Sequence, residues 1–280
     1  MREPTVTPTA VTEQARAIPV PGTDKVIHGL LREVPGAPLV VLVHCLTGWK
    51  NSTKYYLGAR ALERAGFSSF RFDLYGYADD ARKLLDCTVA THADDLDLVL
   101  AVLREEQPDR PISVIGHSLG GLTILCSRRQ GFDAVVLWDA THSGGWQPRQ
   151  AEEHADPAHP YGDESTVWEG SLDCYRLRWG CDILVSEAML RSYRDPDCNA
   201  LISQLHRPVK VIAAGANAFL RSVQNEYYEH ANEPKALAVI EGADHNFETG
   251  ETMVELFAET VRWLDQHGRQ RCSATPPPST

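Results

Sequence analysis

The stretch VIGHSLGGLTIL, residues 114–125, places a serine between glycines where a strand-like run gives way to a helix-like one. Within it, GHSLG (116–120) has the strand–turn–helix setting in which Gly-x-Ser-x-Gly forms a nucleophile elbow. Side chains at the two glycine positions would collide with neighbouring backbone, and Gly121 lets the helix approach the sheet. The pattern is short, so a chance match is the alternative. With its context, it predicts that Ser118 is an exposed nucleophile at the tip of the turn.

Composition and charge narrow the class of protein. The chain has 280 residues, 43% of them hydrophobic, which is enough for one large core in a single domain. A net charge of −11 disfavours a nucleic-acid or anionic-membrane partner. The chain has no apolar run long enough to span a membrane, and MREPTVTPTAVTEQ (1–14) is unlike a signal peptide. These features predict a soluble cytoplasmic protein.

The cysteines point to a reducing compartment and not to a metal centre. The chain has 7 of them, an odd number, and they are scattered without the paired spacing of a zinc site. Apart from Cys272, which lies in a predicted tail, they are expected to act as small buried apolar side chains, and the sequence calls for neither a metal nor a cofactor.

Strand-like and helix-like runs alternate along the chain. The β-rich runs are 38–44, 68–74, 110–116, 133–139, 208–215 and 236–242. The helical segments are 53–66, 93–106, 119–130 and 251–267. Such alternation predicts an α/β fold with a mostly parallel sheet covered by helices on both faces. We expect a core over 16–139 and 206–268, with disordered tails at 1–15 and 269–280.

One connection, residues 140–205, is far longer than a crossover helix requires, and it is turn-rich and charged. Long connections in compact domains are usually functional, so we interpret it as a cap over the carboxyl edge of the sheet. Among its aromatic residues, Trp146 and Trp168 are the candidates for substrate binding. The full set that could line a pocket is Trp146, Tyr161, Trp168, Tyr175, Trp179 and Tyr193. Packing of these side chains on each other is the alternative.

A serine hydroxyl is a weak nucleophile at neutral pH and needs a base. His245 lies in VIEGADHNFETG (239–250), on a loop after the last predicted strand and before the final helix, where the base of such a site is expected. Weaker candidates, none of them on a loop after the last strand, are His44, His92, His117 and His206.

The reaction also needs backbone N–H groups aimed at the charge that forms on the substrate oxygen. Leu119, the residue after the nucleophile, supplies one such group. The loop after the run PLVVLVH (38–44) should supply the second, and Leu46 in HCLTGW (44–49) is the natural donor.

Four motifs occur in order: HCLTG (44–48), FRFDLYGYADD (70–80), GHSLGG (116–121) and GADHNF (242–247). Together they make the chain resemble the α/β-hydrolase superfamily, in particular the small esterases and thioesterases that include cinnamoyl and feruloyl esterases. The resemblance implies the α/β-hydrolase fold, with the cap inserted after its sixth strand. It also implies carboxylic ester hydrolysis as the first choice of activity.

The chain departs from this group at two positions. Cys45 replaces the usual glycine, which can narrow the acyl pocket or shift the loop that carries Leu46. It is a weak candidate for substrate binding, and a nucleophilic role for its thiol ranks below buried packing. The acid is normally an aspartate at the position that Ala218 occupies.

The candidates for the acid are therefore Asn217, Asp244 and Asp139. Asp139 ends the predicted strand after the one that carries Ser118, so it should emerge at the same sheet edge as His245. This placement resembles that of the acid in haloalkane dehalogenases. We predict the triad Ser118, His245 and Asp139, with the alternative that Asp139 only caps the start of the insertion.

The predicted activity is hydrolysis of a small-molecule ester or thioester through an acyl-enzyme. An acyltransferase or a lactone-forming cyclase is the enzymatic alternative. A noncatalytic binding protein of the same fold is the remaining one, motivated by Ala218. The sequence does not fix the oligomeric state, and a homodimer is one of the assemblies it allows.

Overall fold

The structure, a computed structural model, describes residues 11–143, 165–178 and 181–271. Its strands are β1 (Thr12–Pro19), β2 (Val26–Glu33), β3 (Leu39–Val43), β4 (Ser68–Phe72), β5 (Ile112–His117), β6 (Ala134–Trp138), β7 (Thr166–Glu169), β8 (Cys174–Arg178), β9 (Asp182–Val185), β10 (Val209–Ala214) and β11 (Lys235–Ile240). Its α-helices are α1 (Thr53–Arg64), α2 (Val89–Glu106), α3 (Leu119–Leu125), α4 (Glu187–Arg194), α5 (Cys198–Ser203), α6 (Ala218–His230) and α7 (Thr252–His267).

Eight strands form the main sheet, in the order β1-β2-β4-β3-β5-β6-β10-β11. The pairs β1·β2 and β2·β4 are antiparallel, and the other neighbours are parallel. The six predicted strand runs correspond to β3, β4, β5, β6, β10 and β11. The predicted α/β fold with a mostly parallel sheet is confirmed.

Helices cover both faces of this sheet because its central strands are apolar at successive positions. Side chains alternate between faces along a strand, so Val40 and Leu42 pack with α1 and α7 in one cluster. Val41 and Val43 pack in the cluster on the other face, which includes side chains of α2 through α6. Among the described residues, no helix is both long and apolar enough to cross a membrane.

The amino-terminal strand begins earlier than the sequence predicts, because residues 12–15 belong to β1 instead of a disordered tail. β1 is an edge strand with mostly exposed side chains, so it lacks the hydrophobic alternation that would reveal it. Glu13 anchors it by accepting hydrogen bonds of 3.0 and 3.1 Å from the buried Arg71 guanidinium.

The carboxyl-terminal segment is also fixed further than expected. Arg269 donates a 2.8 Å hydrogen bond to the carbonyl of Ala65, and Arg271 donates a 2.7 Å bond to that of Pro108. Residues 269–271, which the sequence assigns to a disordered tail, therefore contact the core through these two guanidinium groups. The remaining parts of the predicted tails, 1–10 and 272–280, lie outside the described residues.

The insertion follows β6 as predicted and contains a second, antiparallel sheet in the order β7-β8-β9. After this sheet, α4 packs against α2, and α5 packs against α3 and α6. The helices α4 and α5 at the end of the insertion thus pack with the helices of the core. The small sheet that precedes them is consistent with the predicted cap.

His92 gives the fold a predicted sensitivity to acid. It lies near the start of α2, fully buried, with its ring 6.2 Å from that of Tyr75. Among the described residues neither of its ring nitrogens has a hydrogen-bond partner. Burial, helped by the nearby charges of His44 and Arg82, lowers the pKa of His92 to about 3.

A histidine in an unfolded chain has a pKa of ~6.5. Between that pH and about pH 3, His92 therefore binds a proton in the unfolded chain and not in the folded one. Stability should therefore fall as the pH drops through this window. Removing one such histidine should make the free energy of unfolding less dependent on pH in this window, by up to ~1.4 kcal/mol per pH unit.

We expect His92→Phe, which keeps a ring beside Tyr75, to lose less stability than wild type between pH 7 and pH 5. Urea unfolding at both pH values measures the difference. His206→Gln, a change at an exposed histidine, is the matched control and should follow wild type. Equal losses in wild type and His92→Phe would contradict the assignment.

Candidate active site

The tight turn between β5 and α3 holds Ser118 in an uncommon backbone conformation, with φ of 53° and ψ of −118°. A Cβ atom at Gly116 would lie 2.5 Å from the carbonyl oxygen of Gly120, and one at Gly120 would lie 2.2 Å from the carbonyl oxygen that ends β3. At Gly121 it would lie 2.4 Å from the Ala140 side chain. The three glycines are thus required by close approach, and strained backbone of this kind is typical of functional sites.

Asp139 and His245 form a direct pair at the same edge of the sheet. Asp139 directly follows β6 with a φ of 42°, and its carboxylate is completely buried. One carboxylate oxygen, Oδ2, lies 2.5 Å from Nδ1 of His245, and the other accepts a 3.2 Å hydrogen bond from the N–H of Ala214. A carboxylate can only accept here, so Nδ1 of His245 carries the hydrogen and Nε2 is left as the basic nitrogen.

The other candidates for the acid make local contacts instead. Asn217 Oδ1 accepts a 3.1 Å hydrogen bond from the N–H of Leu220 in the first turn of α6. Asp244 accepts hydrogen bonds from the N–H of Glu248 at 3.0 Å and from the hydroxyl of Thr249 at 2.9 Å, and so braces the loop beyond His245. Asp139 is therefore the acidic side chain that the structure brings to the predicted base.

The Ser118 hydroxyl lies beside two other hydroxyl groups. Its Oγ is 3.3 Å from Oγ1 of Thr141, and that atom is 2.9 Å from the hydroxyl oxygen of Tyr193. Between the described side chains of Ser118 and His245 there is no hydrogen bond in this arrangement. Such bonds often form only when substrate is bound. Sequence reasoning missed Thr141, and its position two residues after Asp139 was the available signal.

Tyr193, on α4, is the cap aromatic that the structure places next to the nucleophile. Trp168 instead packs edge-to-face on Tyr175, with ring centroids 5.0 Å apart, and both contact the core beneath the small sheet. The remaining cap aromatics lie outside the described residues, including the candidate Trp146, together with Tyr161 and Trp179.

The two predicted backbone donors are present at the start of α3 and in the loop after β3. Among the described residues, neither the N–H of Leu119 nor that of Leu46 has a protein acceptor. The preceding N–H, that of Cys45, donates a 2.8 Å hydrogen bond to the hydroxyl of Tyr55. The buried Cys45 thiol lies 3.5 Å from the Thr47 hydroxyl, so the side chain that replaces glycine packs within the loop.

Comparison with known proteins places the chain in a family. Residues 40–260 match the model of the Alpha/beta hydrolase family, and the chain belongs to this family. The predicted resemblance and the predicted fold are thereby confirmed. No curated protein sequence gives a significant match.

Solved structures share the same fold at low sequence identity. Est1E from Butyrivibrio proteoclasticus, solved with ferulic acid bound, superposes with a TM-score of 0.72 at 15% identity, covering 90% of this chain and 98% of that one. A dienelactone hydrolase from Anabaena variabilis gives 0.65 at 16%, covering 92% and 99%. The esterase domain of a Rhodothermus marinus protein gives 0.67 at 16%, covering 91% and 99%. At these identities the likeness defines the fold.

Proposed function

We propose that the protein is a serine hydrolase that cleaves a small carboxylic ester through an acyl-enzyme intermediate. The observation that carries the proposal is the contact between the buried Asp139 carboxylate and the half-buried His245 imidazole, at the sheet edge where the strained turn places Ser118. Family membership and the esterases among the structural neighbours support it.

In the first half-reaction, the Ser118 hydroxyl leaves its contact with Thr141 and hydrogen-bonds to Nε2 of His245. His245 then takes the hydroxyl proton as Oγ attacks the ester carbonyl carbon. The charge that forms on the carbonyl oxygen is stabilised by the N–H groups of Leu46 and Leu119. The carbon–oxygen bond to the leaving group then breaks, and His245 returns the proton to the departing alcohol.

In the second half-reaction, His245 removes a proton from a water molecule, whose oxygen attacks the acyl-enzyme carbonyl. The bond to Ser118 Oγ breaks, Oγ regains the proton, and the carboxylic acid leaves. A thioester would follow the same steps with a thiol as the leaving group. An alcohol in place of water would turn the reaction into acyl transfer or, within one molecule, lactone formation.

The experiment that tests the proposal combines covalent labelling with a substrate panel. A fluorophosphonate should add a single phosphonyl group, and peptide mass spectrometry should locate it on Ser118. A panel of p-nitrophenyl and coenzyme A acyl esters should then show acid release. Folded protein that takes no label would favour the binding-protein alternative. Turnover that rises with an added alcohol, without more acid, would favour acyl transfer.

The cap is expected to select the acyl group. Trp168→Ala should change relative kcat/KM among acyl chain lengths by ~10-fold, because the loss of the edge-to-face contact with Tyr175 reshapes the small sheet. Labelling of Ser118 should be retained. Tyr77→Ala, a change at a fully exposed aromatic residue, is the control and should leave the preference unchanged. A uniform loss across all chain lengths, with the fold preserved, would contradict a selective cap.

A further inference from the structure

A buried polar cluster lies behind the candidate active site. It consists of Lys54 and Tyr55, in the first turn of α1, and His117, the last residue of β5, and all three are almost completely inaccessible to solvent. Nothing in the proposed mechanism uses these side chains. They nevertheless lie between the loop that carries Leu46 and the loop that carries His245.

Three hydrogen bonds connect the two loops through this cluster. The N–H of Cys45 donates to the Tyr55 hydroxyl at 2.8 Å. The Tyr55 hydroxyl lies 3.1 Å from Nδ1 of His117, and Nε2 of His117 lies 2.9 Å from the carbonyl oxygen of His245. The rings of His117 and His245 are also in contact, with centroids 4.9 Å apart.

The direction of each bond follows from its end points. The His245 carbonyl can only accept, so Nε2 of His117 carries the hydrogen and Nδ1 is the acceptor. The Tyr55 hydroxyl then donates to Nδ1, which it shares as an acceptor with the Lys54 ammonium at the same distance of 3.1 Å, while the Tyr55 oxygen accepts from Cys45. Every bond in the series has one donor and one acceptor, so the network is satisfied from one loop to the other.

The electrostatics of the cluster keep this arrangement fixed. Burial lowers the pKa of His117 well below its usual range, and the Lys54 ammonium, 3.1 Å from Nδ1, lowers it further. Burial also raises the pKa of Tyr55 well above its usual range. Both groups are therefore neutral near neutral pH, and neither proton is free to leave the series.

We propose that Tyr55 and His117 are positioning residues that tie the oxyanion loop at Cys45–Leu46 to the backbone of His245. The inference rests on the proposed function and deepens it. The N–H of Leu46 must stabilise the carbonyl oxygen in the same step in which His245 takes the proton of Ser118, and the series holds the two loops that carry these groups in one frame. The Tyr55 hydroxyl also accepts the hydrogen bond from the N–H of Cys45. The N–H of Leu46 is then the backbone donor of this loop that acts on the substrate.

Tyr55→Phe tests the link because it removes one hydroxyl and keeps the ring. Small errors of position in an active site cost up to ~100-fold in rate. We expect Tyr55→Phe and His117→Leu each to slow fluorophosphonate labelling and kcat for p-nitrophenyl acetate by ~10- to 100-fold, with little change in KM. His117→Gln keeps one donor and one acceptor and should recover most of the rate. The double variant Tyr55→Phe/His117→Leu should be no slower than the slower single variant.

Thr260→Val is the matched control. It removes another buried side-chain hydrogen bond, the 2.9 Å bond from Nε1 of Trp138, at a site outside the series. It should lower stability by a similar amount and leave the labelling rate at the wild-type value. If Tyr55→Phe labels at the wild-type rate, or if His117→Gln is as slow as His117→Leu, the positioning role is wrong.

Hydrogen–deuterium exchange tests the connection between the two loops independently of activity. Tyr55→Phe should speed exchange at least tenfold in both segments 44–49 and 241–250, whereas Thr260→Val should not. Unchanged exchange in segment 241–250 would overturn the link whatever the activity. If wild type takes no label while Tyr55→Phe loosens both segments, the proposed function fails and the connection between the loops stands.

Discussion

Replacement of Asp139 by asparagine is expected to lower kcat by up to ~10⁴-fold with the fold intact, as loss of a triad carboxylate can do. The amide has nearly the same volume and can still accept the hydrogen bond from Ala214. It has no negative charge to stabilise the His245 imidazolium, and its NH₂ group favours the wrong tautomer of the ring. Steady-state kinetics on the best ester of the panel measures the effect, and circular dichroism checks the fold.

Asp244→Asn is the control that separates Asp139 from its neighbour in the site. The Asp244 carboxylate braces the loop beyond His245 and makes no direct bond to that imidazole, so the loss should be much smaller. Near-normal turnover in Asp139→Asn would overturn the assignment. A large loss in Asp244→Asn alone would move the acid to that position.

Replacement of Ser118 by alanine should have the largest effect, a loss of about 10⁶-fold in kcat, as expected when the nucleophile of a triad is removed. Fluorophosphonate labelling should disappear. The change deletes only the hydroxyl, which lies 3.3 Å from that of Thr141 and beside that of Tyr193, so the melting temperature should stay near that of wild type. Ligand binding should persist, because the walls of the site are unchanged.

Ser113→Ala, on the strand β5 that leads into the Ser118 turn, is the matched control. Ser113 is buried, and among the described residues its hydroxyl has no hydrogen-bond partner, so labelling and turnover should be retained. Labelling that survives in Ser118→Ala would contradict the proposed nucleophile. The buried thiol of Cys45 would then be the next group to test, by Cys45→Ala.

Local sequence patterns predicted the strands and helices in which apolar residues recur at regular positions. Six β-rich runs predicted β3, β4, β5, β6, β10 and β11, and all of these except β11 lie inside the sheet, where a strand covered on both faces must be largely apolar. The glycines around Ser118 were informative for a related reason, since the close approach they permit involves residues adjacent in the chain or in the sheet. The edge strand β1 escaped prediction because its side chains are mostly exposed and carry no such pattern.

By itself, then, the sequence determined the family, the fold and the positions of Ser118 and His245 within it, because these follow from periodicity and short motifs. Only the tertiary structure decided which acidic group meets His245, since that contact joins residues 106 positions apart and depends on the packing of β6 beside β10. The same holds for the approach of Thr141 and Tyr193 to the nucleophile and for the series from Cys45 to His245. A hydrogen bond between residues far apart in the chain produces no periodic pattern in the sequence of either segment. It can be identified only once the folded chain brings the two segments together.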